Sequence, residues 1–330
     1  MRKLASIQVV EKLYPIVGAD LIEVAQIQGW HVVVKKGEFV VGDKVIYCEI
    51  DSVLPPKEEF AFLEKVKYRI KTQKMRGQIS QGICFPTTLL TNGDIREIGE
   101  DVTDELGVTL YVSPGSGGLG EVNSKGNFPT HLVSKTDEER VHNMPDFLKF
   151  NVGRRCYVTE KLDGSSFTAI LTDSEFYVCS RNLELKEADP NSNAYWGMVA
   201  KYNLQEKMKQ YSKNIAVQGE IIGPGIQKNK YKLSNQELYI FNVVEIDTQR
   251  YLSVDEMELF CDKNNLKMVP VLDKDIVLSD SVIDWVELAK GKSKLNPNIM
   301  REGIVVRNND DGLRFSFKVI NPNFLLKYDE

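Results

Sequence analysis

The chain is poor in histidine, with three in 330 residues: His31, His131 and His142. Chemistry built on histidine, as a metal ligand or as the base of a triad, therefore has few candidates. Carboxylates, lysines and arginines must carry any catalysis. Cysteine is scattered and odd in number (Cys48, Cys84, Cys156, Cys179, Cys261), with no C-x-x-C pair. That argues against a disulfide framework or a structural zinc site and fits a reducing compartment. No apolar run reaches the roughly 18–20 residues that a membrane span needs. Glu11 and Lys12 stand where a signal peptide would need unbroken apolar sequence. The expectation is a soluble, intracellular protein without a membrane partner.

What is present is ordinary core-forming sequence, 42% hydrophobic and 27% charged, in a length that suits two domains. A formal net charge of −5 does not suit a protein that coats nucleic acid indiscriminately. Charge is concentrated locally, in the stretch EKVKYRIKTQKMRG. There Lys65, Lys67, Arg69 and Lys71 alternate with Val66, Tyr68 and Ile70. On a strand this spacing puts four cations on one face, suited either to tracking a phosphate backbone or simply to facing solvent.

Residues 1–112 read as short strands broken by turns. Segments 21–27, 30–36 and 44–50 are apolar-rich, with Gln28-Gly29 and Gly42-Asp43 as breaks. This predicts a small Greek-key barrel of the OB type, a common nucleic-acid-binding fold. Residues 113–126 are rich in Gly, Pro and Ser and read as a linker or lid. Residues 127–330 mix strands and helices. Strands are expected at 155–160, 167–172, 239–246, 303–307 and 313–319, and helical spacing at 194–211 and 254–265, the latter entered through Ser253 with Glu256 at the third helical position. The predicted fold class is α+β, an OB-like barrel followed by a domain of antiparallel sheets.

The strongest chemical signal is Glu160-Lys161-Leu162-Asp163-Gly164-Ser165-Ser166, in a turn between two predicted strands. Alone, it also fits a plain β-turn, since Asp-Gly is a favoured turn dipeptide. The segments that follow it in order are Ser180-Arg181-Asn182, Gly219-Glu220-Ile221, Tyr239-Ile240-Phe241, Arg301-Glu302-Gly303-Ile304-Val305-Val306-Arg307 and Phe315-Ser316-Phe317-Lys318. This series resembles the six motifs of the covalent lysyl-nucleotidyltransferases, which include RNA ligases, DNA ligases and capping enzymes, and most resembles the RNA-ligase branch. GWHVVVKKGEF…VGDKVIYCEIDSVLP…RIKTQKMRGQISQGICFP is similar to the OB-like domain of one nick-sealing RNA ligase family, and residues 134–143 resemble the segment such ligases carry ahead of the nucleophile.

The resemblance implies an ATP-grasp-like ligase domain, acting as a monomer, in which Lys161 takes AMP from ATP and passes it to a 5′-phosphate. The polynucleotide would be RNA, in a nicked duplex with RNA on the 3′-hydroxyl side. The ATP site would comprise Glu160, Lys161, Arg181, Glu220, Phe241, Glu302 and Lys318, with Phe241 stacking on adenine. Glu302, Asp163 and Glu220 would hold Mg²⁺ or Mn²⁺. Lys318 would lower the pKa of Lys161 and bind the α-phosphate, and Arg140 would orient the leaving pyrophosphate. The basic face Lys65, Lys67, Arg69 and Lys71 would bind polynucleotide. Two positions depart from the pattern: Ser166 stands where many relatives have arginine or asparagine, and Ser316 where the last motif usually has lysine. The chain stops twelve residues after Lys318, with no further OB domain of the kind DNA ligases and capping enzymes carry. That counts against those two enzymes, and the presence of Lys161, Glu220 and Glu302 counts against a non-catalytic RNA-binding adaptor; these stand as the alternatives.

Overall fold

In the computed structural model, residues 3–112, 123–309 and 313–328 are described. Residues 113–122 of the expected linker lie outside these, and its end already belongs to a strand, Ser124–Asn127. The chain forms two compact units. The first comprises Met1–Pro114 with the short segments His142–Pro145 and Pro322–Glu330; the second comprises Gly115–Val141 and Asp146–Asn321.

The first unit is antiparallel β. One three-stranded sheet runs Ala5–Val9, Lys44–Cys48, Ile83–Pro86, a second runs Lys12–Pro15, Ile22–Ile27, Trp30–Lys35, and two two-stranded sheets accompany them. Along Trp30–Lys35 burial alternates residue by residue, so Trp30, Val32 and Val34 point inward. Gln28 and Gly29 both take positive φ (51° and 77°), the two-residue hairpin that pairs Ile27 with Trp30. Residues of both three-stranded sheets, among them Ile7, Ile46, Ile27 and Val32, share one buried core.

The predicted basic strand does not form. Phe60 and Leu63, three residues apart, are buried by a 3₁₀ helix, Glu58–Val66, whose three-residue turn stacks them on one side. Lys67 and Tyr68 then turn the chain with left-handed φ values of 54° and 59°. Arg69 is buried, pairs with Asp51 at 3.1 Å and stacks 3.7 Å from the Tyr111 ring centroid. Lys65 and Lys67 remain exposed and Lys71 half-buried. Four cations on one strand face is therefore corrected to three surface lysines around a structural arginine.

The second unit is built on two sheets. The larger has eight strands; at its centre Ser165–Leu171, Ile215–Ile222 and Glu237–Glu245 pair antiparallel. Its buried Phe167, Val217, Ile240 and Val243 pack with Met198, Met208, Met257 and Phe260 of the covering helices. The helical stretch predicted over 194–211 is two helices, Ala194–Tyr202 and Leu204–Tyr211, broken at Asn203, which adopts φ 47°, ψ 46° and ends the first helix. Val254–Lys263 begins at the expected capping box of Ser253 and Glu256. The smaller sheet has the order Glu139–Arg140, Ser316–Ile320, Gly303–Asn308, Arg155–Lys161, Val271–Val277. All five cysteines are buried and free. Among the described residues no helix is long and apolar enough to cross a membrane.

Candidate active site

The pocket of the second unit is organised by the register of the smaller sheet. Lys161 lies opposite Gly303, Thr159 opposite Val305, and Val305 opposite Lys318. Directly paired residues share a face, so Lys161, Thr159, Val305 and Lys318 line the same side of the sheet, and all four border one pocket. Arg140 lies opposite Lys318 on the next strand, which runs parallel. It stands beside the pocket without being among its lining residues.

The nucleophile candidate sits where the strand Arg155–Lys161 enters a tight turn. The glycine of that turn is required for space: a Cβ on Gly164 would lie 2.3 Å from the Ile221 carbonyl oxygen and 2.9 Å from Glu220 Cγ. Only glycine lets the turn close against the strand carrying Glu220. Gly303 answers the same need beside Glu302, since a Cβ there would lie 2.1 Å from the Val319 carbonyl oxygen. Phe241 is aimed by a β-bulge. Gln218 pairs with Asn242 and Gly219 with Ile240, which leaves Phe241 as the extra residue. Its ring borders the pocket, while Ile240 stays fully buried.

Lys161 Nζ donates to both carboxylate oxygens of Glu302, each at 2.7 Å. Burial disfavours its charge, but Glu302, Glu220 and Asp163 more than offset this, and the ammonium is held above its ordinary pKa. Lys318 and Lys161 repel one another, but at Lys161 the carboxylates outweigh that repulsion, so its pKa is not lowered on balance as expected. The lowering falls on Lys318 itself, pushed down to about 8 by burial first and then by Lys161 and Arg140. Glu220 is pushed up to about 8, chiefly by burial, with repulsion from Glu302 and Asp163 adding to it. Asp163 is paired with Lys230. Among the described residues there is no ready-made cluster of three His, Cys, Asp or Glu able to hold a metal ion. Glu302, Glu220 and Asp163 nonetheless supply hard oxygen donors, and their mutual crowding is of the kind a divalent cation relieves.

The remaining predicted residues fall into place with different partners. Glu160 is buried, its Oε2 accepts from the Lys294 backbone N–H at 2.7 Å, and burial raises its pKa. Arg181 borders the pocket, largely exposed, in an ion pair with Asp137. Ser166 meets the Thr136 hydroxyl at 2.5 Å. Ser316, in place of a lysine, donates to Glu138, and it lies opposite the buried Arg307, whose guanidinium is 3.5 Å from the same carboxylate. Arg307, which borders the pocket, and Lys230 and Tyr231, which hold the turn after Lys161 from outside it, are not singled out by the sequence. Arg307 is visible there as the end of a motif, while Lys230 and Tyr231 lie in a polar loop with no periodic signal.

A lysine ringed by carboxylates, with a second lysine and an arginine on neighbouring strands and an aromatic ring in the same pocket, is an arrangement able to receive a nucleotide and its phosphates. Comparison with known proteins specifies it further. The RNA ligase family model matches residues 154–320, and an OB-fold domain model matches residues 4–87. Among solved structures, a lysine-to-alanine variant of Naegleria gruberi RNA ligase with ATP and Mn is 37% identical over 99% of both chains, with a TM-score of 0.89. The same ligase with PPi is 38% identical over 100% of this chain and 99% of that one, again at 0.89. A glutamate-to-alanine variant with ATP and Mn is 38% identical over 100% of both chains, with a TM-score of 0.89. No curated protein matches the chain. The chain belongs to the RNA ligase family.

Proposed function

We propose that this chain is an ATP-dependent RNA ligase that joins 3′-hydroxyl to 5′-phosphate ends, at nicks in duplexes with RNA on the 3′-hydroxyl side, through AMP carried on Lys161. The reading rests above all on one observation: Lys161 and Lys318 share a sheet face in a single pocket with Phe241, Glu220 and Glu302. It agrees with the relatives solved with ATP, with AMP and with Mn.

In the first step Lys161 Nζ forms a bond to the α-phosphorus, the bond from that phosphorus to the bridging oxygen breaks, and pyrophosphate leaves. Glu302 holds Nζ oriented and protonated, so attack requires that pair to open and one proton to be lost. Lys318, half-buried beside Val305, presents its charge to the phosphate. Arg140, next to it, is assigned to the leaving pyrophosphate. Phe241 offers its ring face to adenine, and Glu220 and Arg181 are assigned to the ribose and phosphate. Mg²⁺ or Mn²⁺ bound by Glu302, Glu220 and Asp163 would supply charge neutralisation at the phosphate oxygens. AMP then passes from Lys161 to an oxygen of the 5′-phosphate, and the 3′-hydroxyl attacks the activated phosphorus to release AMP.

The test is sealing of a nicked duplex bearing a 3′-hydroxyl RNA strand and a 5′-phosphate, with ATP or GTP as the only nucleotide. The expected outcome is sealing with ATP, little with GTP, and none when the 5′-phosphate is missing. Equal use of GTP, or no sealing in Mg²⁺ or Mn²⁺, would overturn the assignment.

A further inference from the structure

The turn that follows Lys161 is gripped by a loop with unusual backbone. Gln227, Lys228, Asn229 and Lys232 all take left-handed φ, at 44°, 56°, 46° and 57°, and none is glycine. Such conformations persist only where their surroundings over-determine them, and they cluster at functional sites. This loop makes three contacts to the turn. The Tyr231 hydroxyl accepts from the Asp163 backbone N–H at 2.8 Å. Lys230 Nζ pairs with the Asp163 carboxylate, both side chains being largely buried. Gln227 Nε2 donates to the Gly164 carbonyl at 3.4 Å.

The loop is itself held rigid. The Asn229 side chain closes it by donating to the Leu233 carbonyl at 2.8 Å and accepting from the Leu233 N–H at 3.1 Å. Asn296 Nδ2 donates to the Tyr231 carbonyl at 3.2 Å. The Tyr231 ring is buried in one apolar cluster with Leu162, the residue next to the nucleophile. Leu162 and Asp163, the two residues after Lys161, are thus fixed by Tyr231, one through its ring and the other through its hydroxyl.

From this geometry we infer that Tyr231 and Lys230 are positioning residues for the lysine nucleophile: they lock the backbone from which Lys161 projects and do not themselves touch the nucleotide. The inference rests on the proposed lysyl–AMP chemistry. It predicts a loss confined to the step in which Lys161 attacks, because a nucleophile misplaced by about 1 Å forfeits on the order of a hundredfold in rate.

The experiment compares Tyr231→Phe, which keeps the ring and removes the hydroxyl, with Lys230→Met and Lys230→Arg, in the full chain. Lysyl–AMP formation is followed in single turnovers across ATP concentrations, and sealing of a pre-adenylylated nick is measured separately. For Tyr231→Phe and Lys230→Met the maximal rate of adenylylation should fall about tenfold to a hundredfold, with the half-saturating ATP concentration within about twofold of wild type. Sealing of the pre-adenylylated nick should stay within about twofold, and Lys230→Arg should recover most of the lost rate. An unchanged adenylylation rate, a loss confined to ATP affinity, or an equal loss in sealing of the pre-adenylylated nick each overturns the positioning role. If the wild-type chain forms no lysyl–AMP at all, the failure lies with the proposed function instead.

Discussion

Replacing Lys318 with methionine should stabilise the nucleotide-free protein while abolishing its chemistry. The Lys318 ammonium is pushed from the usual 10.5 down to about 8, first by burial and then by the charges of Lys161 and Arg140. At about 1.4 kcal/mol per pH unit, holding that charge in the fold costs on the order of 3 kcal/mol. Methionine keeps most of the apolar stem and removes the charge. That shift already includes the favourable charge of Asp137; with imperfect packing of methionine in the lysine's place, the expected gain at pH 7 is about 1–3 kcal/mol. The pH dependence has a definite sign. Between the folded value of about 8 and the unfolded value of 10.5 the unfolded chain binds more protons at this site, so wild-type stability rises with pH through that window. The advantage of Lys318→Met is therefore complete below pH 8 and fades as pH approaches 10.5. Urea unfolding of both proteins without nucleotide or metal, at pH 7 and near pH 10, measures it. A variant less stable than wild type at pH 7, or one with the same advantage at both pH values, would refute the reasoning.

Three further substitutions separate roles that share a charge. Arg140→Ala should slow self-adenylylation by ATP more than sealing of a pre-adenylylated RNA end, because only the first reaction expels pyrophosphate; equal losses would leave Arg140 structural. Arg69→Ala should cost the first unit about 1–3 kcal/mol in urea unfolding, since it removes the guanidinium that pairs with Asp51 and stacks on Tyr111. Lys67→Ala should leave stability within about 0.5 kcal/mol, and any loss in RNA binding should appear as a flatter salt dependence.

Much of the site is legible in the sequence because its residues are carried by regular strands. Lys161, Glu220, Glu302 and Lys318 sit within strands that apolar patterning marks or at their ends, so their order along the chain survives as neighbourhood in the sheets. Ser253 and Glu256 announce their helix for a local reason, two backbone donors satisfied by two nearby side chains. The basic stretch misleads because its alternating charge suggests a strand, whereas Phe60 and Leu63 at a spacing of three favour a 3₁₀ turn and Asp51 draws Arg69 inward. The grip of Tyr231 and Lys230 on Asp163 is illegible. It spans 67 and 68 residues and depends on left-handed backbone at residues that are not glycine, for which one-dimensional pattern carries no signal. The bulge that aims Phe241 is likewise a property of the pairing of two strands and not of either alone.

That Lys161 is the covalent carrier of AMP is tested most directly by the intact mass of the full chain after mixing with ATP and Mg²⁺ or Mn²⁺, beside Lys161→Ala treated identically. The expected result is a wild-type mass raised by one AMP, released as free amine at acidic pH as a phosphoramidate should be, and a folded Lys161→Ala protein with no added mass. A Lys161→Ala chain that still gains AMP, or a wild-type chain that gains none with either metal, would contradict it.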